Sequence, residues 1–416
     1  MEELYKKFLE HPQICTDTRN IIPDSIFVCL KGERFDGNTF ALQALENGAA
    51  YVITENQTLK GDTRCIVVED SLKTLQDLAR HHRQQLSIPI VGVTGTNGKT
   101  TTKELISTVL SSKFKTACTK GNLNNHIGVP LTILSLKPTD EMAIVEMGAN
   151  HPREIEFLCT ISKPTFGVIT NVGKAHIEGF GSVEEIIHTK KALYRAVIQN
   201  NGTLFVNAED AVLKDGLQYD KIVYYAQGGE NNIVSMSPYL RIKVAGHEID
   251  THLTGSYNIY NFMAAACIGH FFGVEDALIA KSLAAYEPTN HRSQINTIGS
   301  NVVISDYYNA NPTSMEAAIR NLSKLEHPHK VAILGDMLEL GAISQQEHLH
   351  IIELCKTLDI DAIFVGKEFG KHHPAQWFES VEQLDEQLAR EPISNALILV
   401  KGSNGIHLDK LNTLLK

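Results

Sequence analysis

The chain has 416 residues, room for two to four domains, and its 43% hydrophobic and 21% charged content suits a globular protein with real cores. Its formal net charge of −10 weighs against a general nucleic-acid or membrane-surface binder, though a local basic pocket could still take an anionic small molecule. Seven cysteines, Cys15, Cys29, Cys65, Cys118, Cys159, Cys267 and Cys355, show no CxxC spacing and read as buried thiols in a reducing compartment.

MEELYKKFLEHPQI lacks the apolar core of a signal peptide, and no stretch approaches the ~20 apolar residues that span a bilayer. The expected location is the cytoplasm, without membrane insertion. Residues 1–86 mix short elements: IFVCLKG (26–32) and AAYVITE (49–55) read as strands around a short helix, and LKTLQDLARHHRQQL (72–86) has helical periodicity. SIP (87–89) marks a boundary, because the residue before proline disfavours helix. Residues 87–290 open with the buried-strand pattern PIVGVTG, a Gly-rich turn and the helix TTKELISTVLSS. The apolar runs MAIVEMG (142–148), FGVITNVG (166–173) and TLFVNA (203–208) follow, with helical stretches such as VEEIIHTKKALYRAVI (183–198) between some of them. Such alternation implies a mainly parallel sheet covered on both faces. In residues 291–416, NVVISDYY, HKVAILGD, DAIFVGKE and NALILVKGS alternate with helices. The expected fold class is therefore α/β in three domains: a small N-terminal α/β domain (1–86), a central P-loop parallel-sheet domain (87–290) and a C-terminal Rossmann-like doubly wound domain (291–416). Sites in such folds lie beyond the carboxyl ends of strands, so strand-end polar residues are the first candidates.

GVTGTNGKTTT (92–102) sits between a strand and a helix, the context of a phosphate-binding loop. Gly95, Thr96, Asn97, Gly98, Lys99, Thr100 and Thr101 are the candidates for ATP. Backbone N–H groups converge on phosphate oxygens, Lys99 reaches the β- and γ-phosphates, and the Thr100 hydroxyl joins Mg²⁺. The common GxxxxGK[ST] spacing wants glycine at 93; Val93 stands there, with glycines at 92 and 95. The structural alternative is a Gly-rich turn with a surface lysine. Glu146 closes its strand where a second metal ligand belongs, or is a solvated glutamate. His176 follows another strand end, and Lys190 and Lys191 lie on the next helix; taken singly, such residues are more often structural. His81, His82, His372 and His373 have no metal spacing and read as surface residues.

TGTNGKTT, EMGAN (146–150), TNVGKAH (170–176) and GSYNIYN (255–261) together resemble the Mur ligases. GNLNNHIGVPLTIL (121–134), EMGANHPREI (146–155), DYYNANPTSMEAA (306–318), LGDMLELG (334–341) and TDTRNIIPDSIFVCLKGERFDGN near the start extend the likeness over nearly the whole chain. Within that family they favour the branch that appends D-alanyl-D-alanine. The resemblance implies that ATP phosphorylates the terminal carboxylate of a UDP-MurNAc-tripeptide, and that the D-alanyl-D-alanine amine then displaces phosphate. It implies that Glu146 ligates one magnesium and His176 a second, with Lys190 carbamylated and joining the metal site. Lys190 is favoured over Lys191, although Ala192 stands where the family has glutamate. Asn258 and Asn261 fall on the adenine side, Arg292 at the γ-phosphate, Asp306 at the ribose, and Asn309 beside it. The UDP end falls to Asp17, Thr18, Arg19, Lys31, Gly32, Asp36 and Gly37, with no role for Asn38. Asn122, Asn124 and Asn125 face the muramoyl-peptide, His126 less so. Asn309, Asn311 and Ser314 either meet ligand or serve a turn and helix cap, and Lys401 either binds the acceptor dipeptide or is solvated. The expected partners are these small molecules, and the expected state is a monomer. The alternatives are a sibling amide ligase, a folylpolyglutamate synthase, or a P-loop switch that hydrolyses ATP slowly. A third domain carrying part of the ATP site is expected to swing in on ligand binding.

Overall fold

A computed structural model describes residues 1–32, 35–288 and 292–415. The expected boundary at 290/291 lies outside the described residues. Three mainly parallel sheets follow one another along the chain. The first orders Ile14–Cys15, Ile26–Val28, Tyr51–Thr54 and Cys65–Val67 side by side, all parallel. Helix Ser71–Gln85 then starts at Asp70, whose side chain accepts from the Lys73 N–H. Its inner face carries Leu75, Leu78, Ala79 and His82, the spacing of one helical stripe. That periodicity corrects the surface reading of His82. It is 3% exposed, its Nε2 bonds the Leu136 carbonyl at 2.9 Å, and Tyr5 Oη lies 3.1 Å from its Nδ1. His81 and His372 are half-buried; His373 is exposed. All seven cysteines are free, but Cys65, Cys118 and Cys267 are only half-buried.

The middle sheet runs in the order Ile222–Tyr225, Thr203–Asn207, Phe166–Ile169, Ile90–Thr94, Met142–Glu146, Thr116–Cys118, all parallel. Ile90–Thr94 is buried throughout because it sits at the centre. Gly92 lies within that strand. A Cβ there would come 2.8 Å from Leu193 and 2.9 Å from Met147, so this glycine serves the packing of sheet against covering helix. The third sheet orders Gln294–Ile298, Asn301–Ser305, Leu397–Lys401, Lys330–Gly335, Asp361–Val365 and Trp377–Phe378. Its first pair is antiparallel and the rest parallel, so the doubly wound unit has one reversed edge strand. A small antiparallel sheet, Ile233–Ser235, Arg241–Val244 and His247–Asp250, is an addition to the expected parallel plan. The alternating burial of Arg241–Val244 is the period-two signature that marks such strands.

The cores divide unevenly. Leu75 and Leu78 share one apolar cluster with Val129, Ile133, Ile155 and Leu158 of the middle domain. The C-terminal sheet keeps separate clusters on its two faces. Among the described residues no helix is long and apolar enough to cross a membrane.

Candidate active site

The carboxyl ends of three adjacent middle strands, finishing at Thr94, Glu146 and Ile169, open into a cavity of about 910 Å³ closed on its far side by the C-terminal domain. The loop after Thr94 is shaped by two glycines with positive φ, Gly95 at 146° and Gly98 at 77°. Space forbids a side chain at either: a Cβ would lie 2.0 Å from Thr170 Oγ1 at Gly95 and 2.8 Å from Asn261 Oδ1 at Gly98. Asn171 braces the loop, accepting from the Asn97 N–H and donating to its carbonyl, both at 3.0 Å, while Thr170 Oγ1 donates to the same carbonyl at 2.6 Å. Helix Lys99–Ser111 starts directly behind, and Lys99, Thr100 and Thr101 of its first turn line the cavity. Lys99 is no loose surface lysine: Nζ donates to the carbonyls of Gly95 and Thr96, both at 2.9 Å. Loss of solvent brings its pKa down to about 8, against the pull of Glu146.

Glu146 is 1% exposed, so it is not a solvated glutamate. Its Oε1 accepts from Thr100 Oγ1 at 3.2 Å and from Asn124 Nδ2 at 2.7 Å. Its Oε2 has no hydrogen-bond partner among the described residues; the buried Lys103 ammonium stands 3.9 Å away. His176 has φ 53° and bonds Glu339 of the C-terminal domain. Burial pushes its pKa below the ordinary value, and the Glu339 carboxylate opposes that. Lys190 and Lys191 part company here. Lys190 is 3% exposed, with Nζ 3.5 Å from the Ala149 carbonyl, and burial followed by the charge of Lys99 holds its pKa well below that of an ordinary lysine. Lys191 turns outward to the Asp215 carbonyl.

Asn258 and Asn261 both line the cavity, but their amides are engaged: Asn261 donates to Asn258 Oδ1 and accepts from Thr102, and Asn258 donates to the Thr254 carbonyl. The Arg292 guanidinium lies 3.8 Å over the Tyr308 ring, and its Nε is unpartnered among the described residues. Asp306 lines the cavity and pairs with Lys401 at 2.6 Å. Lys401, 2% exposed, also reaches the Asn309 carbonyl, so the solvated alternative for it does not hold. Asn311 and Ser314 form a capping box on helix Pro312–Lys324 while facing the cavity, and Asn311 Nδ2 donates to Asn97 Oδ1 at 2.7 Å across the domains. Asn125 lines the cavity too, yet its side chain accepts from the N–H groups of Ile127 and Gly128 and so serves the turn. Asn122 does not line it.

The N-terminal candidates stand apart from the cavity. Asp17 and Arg19 pair through two side-chain hydrogen bonds. Asp36 caps the short turn Gly37–Phe40, and a Cβ on Gly37 would meet the Leu30 carbonyl at 2.6 Å. Asn38, left without a role, ties this turn to the first sheet through Thr54 and the Glu55 N–H. The residues that sequence reasoning passed over are Lys103, Thr170, Asn171, Tyr308 and Glu339. Glu339 could have been found by the strand-end rule that found Glu146, since it lies in LGDMLELG just after strand Lys330–Gly335.

Residues 12–83, 93–269 and 291–404 match, in order, the Mur ligase family catalytic domain, the Mur ligase middle domain and the Mur ligase glutamate ligase domain. The chain is 34% identical to the UDP-N-acetylmuramoyl-tripeptide–D-alanyl-D-alanine ligase of Bacillus subtilis (strain 168), covering 98% of this chain and 96% of that one. With the Escherichia coli (strain K12) protein of the same name the identity is 32%, over 96% and 92%. A crystal structure of MurF from Acinetobacter baumannii superposes with a TM-score of 0.86 at 30% identity, covering 96% of this chain and 92% of that one. MurF from Thermotoga maritima, crystallised with ADP, gives 0.84 at 28% identity, over 97% and 96%. With this loop, this cavity and end-to-end likeness in agreement, the chain belongs to the Mur ligase family.

Proposed function

We propose that this protein joins the amine of D-alanyl-D-alanine to the terminal carboxylate of UDP-MurNAc-tripeptide, with ATP as phosphoryl donor, in cytoplasmic peptidoglycan precursor synthesis. It works as a monomer whose units are 1–86 for the UDP end, 87–290 for ATP and 291–416 for the acceptor and part of ATP. The observation that carries this reading is the convergence of Lys99, Glu146 and His176 on one cavity. A carboxylate is a poor electrophile because oxide would have to leave. Phosphorylation supplies a leaving group, but it brings two anions together and so needs cations between them. Lys99, turning from the carbonyls of its own loop, holds the β- and γ-phosphates, and Arg292 meets the γ-phosphate from the other side. Asn258, Asn261, Asp306 and Asn309 form the nucleoside end, and Asn124 the precursor end.

The Thr100 hydroxyl and Glu146 carboxylate suit one Mg²⁺, because Glu146 Oε2 has no hydrogen-bond partner among the described residues and keeps its lone pairs, with the Lys103 ammonium 3.9 Å off. The described residues contain no group of three His, Cys, Asp or Glu able to hold an ion by itself. That composition suits an ion that keeps waters and arrives on phosphates. Bound Mg²⁺ supplies charge neutralisation at the junction of the two anions. His176, and Lys190 once carbamylated, would hold a second ion. The neutral amine that burial favours at Lys190 is the form that adds to CO₂; with loss of its proton it becomes a carbamate anion.

The test is phosphate release from ATP with UDP-MurNAc-tripeptides that differ at the third residue, with D-alanyl-D-alanine set against lysine, diaminopimelate and glutamate. Release that depends on D-alanyl-D-alanine is expected, and turnover indifferent to the amine overturns the reading. Lys190→Ala is expected to lose most activity, with little rescue by bicarbonate, and to lose the carbamate carbon signal in ¹³CO₂ NMR. Full activity in that variant removes the carbamate assignment.

A further inference from the structure

An ammonium drawn into a cavity is stable there only beside an acceptor of opposite charge. Four acidic side chains line this cavity among the described residues: Glu146, Glu154, Asp306 and Glu339. Three are engaged in holding the site together. Glu146 takes Thr100 and Asn124, Glu154 takes the N–H groups of Asn150 and His151, and Asp306 takes Lys401 and the Ser293 N–H. Glu339 has one side-chain partner among the described residues, His176 of the facing domain, and its side chain stays 53% exposed.

The backbone is arranged to present this carboxylate. Glu339 has φ 62° and faces His176 at 53°, both in the left-handed region that residues with side chains seldom occupy. The loop beneath is braced by buried groups: the Met337 N–H donates to His348 Nε2 at 3.0 Å and the Leu338 N–H to Ser403 Oγ at 2.9 Å. Asp336, 3% exposed, accepts from the N–H groups of Glu368 and Phe369. The facing segment docks through the Glu178 N–H on the Glu339 carbonyl at 3.4 Å and through Lys174 on Glu347 at 3.1 Å. Strain that surrounding structure over-determines in this way gathers at functional positions.

We infer that Glu339 receives the α-ammonium of the acceptor dipeptide, at the position where it now meets His176. This rests on the reading of the chain as an amide ligase. The ammonium replaces one charge-assisted bond with another. This pairing also places the amine on the C-terminal wall, across the cavity from the phosphate loop.

The experiment uses the whole protein with Glu339→Gln, which removes the charge and keeps the shape, and Glu339→Asp, which keeps the charge. Two readouts separate docking from activation. The first is the KM for D-alanyl-D-alanine at saturating ATP and precursor. The second is scrambling of bridge-labelled ATP with precursor alone, which reports acyl-phosphate formation without acceptor. The Gln variant is expected to raise KM by about tenfold or more, the loss of one charge-assisted pair, and to leave scrambling within about twofold. The Asp variant is expected to fall between Gln and wild type. An unchanged KM overturns the inference, and so does scrambling that falls as far as the overall rate, which would place Glu339 in activation. Should the Gln variant fail to fold, wild type still decides: the hydroxy analogue D-lactyl-D-alanine, lacking the ammonium, is expected to bind at least about tenfold more weakly than the dipeptide, and equal binding overturns the inference. Failure of the amide-ligase reading shows separately, as wild type that releases no phosphate when the dipeptide is added.

Discussion

The two joints of this chain are made of different material. Between the first and middle domains, Leu75 and Leu78 of helix Ser71–Gln85 enter one apolar cluster with Val129, Ile133, Ile155 and Leu158. Between the middle and C-terminal domains the contacts are polar pairs: Asn97 with Asn311, His176 with Glu339, Lys174 with Glu347, Thr254 with Asn321, and Tyr257 with Ser293. Apolar area released to water costs roughly 25 cal/mol per Å², whereas water can replace a polar pair worth about 0.5–1.5 kcal/mol net. The first joint therefore fixes two domains as one body, and the second can part and re-form. The cavity lies at the second joint.

Four measurements would break or sharpen this contrast. Leu78→Ala carries the largest expected effect, a loss of about 2–5 kcal/mol in equilibrium denaturation, with the first two domains unfolding in a single transition. Separate early melting of the first domain would show that the core is not shared. Next comes pH. Burial holds the His82 pKa below 6.5, so it stays neutral in the fold while the unfolded chain takes up a proton. The stability present above pH 6.5 is therefore expected to fall as pH drops from 6.5 toward the depressed folded value, with a slope of at most about 1.4 kcal/mol per pH unit from this one proton. His82→Gln is expected to flatten that slope; an unchanged slope would clear His82 of any part in it. The smallest stability effect belongs to the polar joint. Lys174→Met is expected to cost under about 1 kcal/mol in the same denaturation assay. Scattering is expected to show wild type contracting when nucleotide and precursor are added, and profiles indifferent to ligand would count against a moving third domain.

What could be read from the sequence follows how locally each feature is encoded. The loop from Gly95 to Thr101 and the strand-end positions of Glu146 and His176 depend on consecutive residues and on hydrophobic runs. Lys103 had no such signal. It becomes a buried neighbour of Glu146 only because helix Lys99–Ser111 lies against that strand end. The Asn97–Asn311 pair joins residues in different domains and is set by how those domains meet. Asn311 and Ser314 show a further limit: the same side chains cap a helix and face the cavity, so either reading of them alone is incomplete. The helical stripe of Leu75 and Leu78, carried one turn further, reaches His82 and marks it as buried.

Lys99 donates to the carbonyls of Gly95 and Thr96. A phosphate must therefore outcompete two neutral oxygens that are already satisfying the ammonium. The trade keeps the number of hydrogen bonds and changes only the charge on the acceptor. A weakly charged anion gains little by entering, and a triphosphate gains much. The two carbonyls thus set a threshold of charge that favours a polyphosphate over a small anion at Lys99.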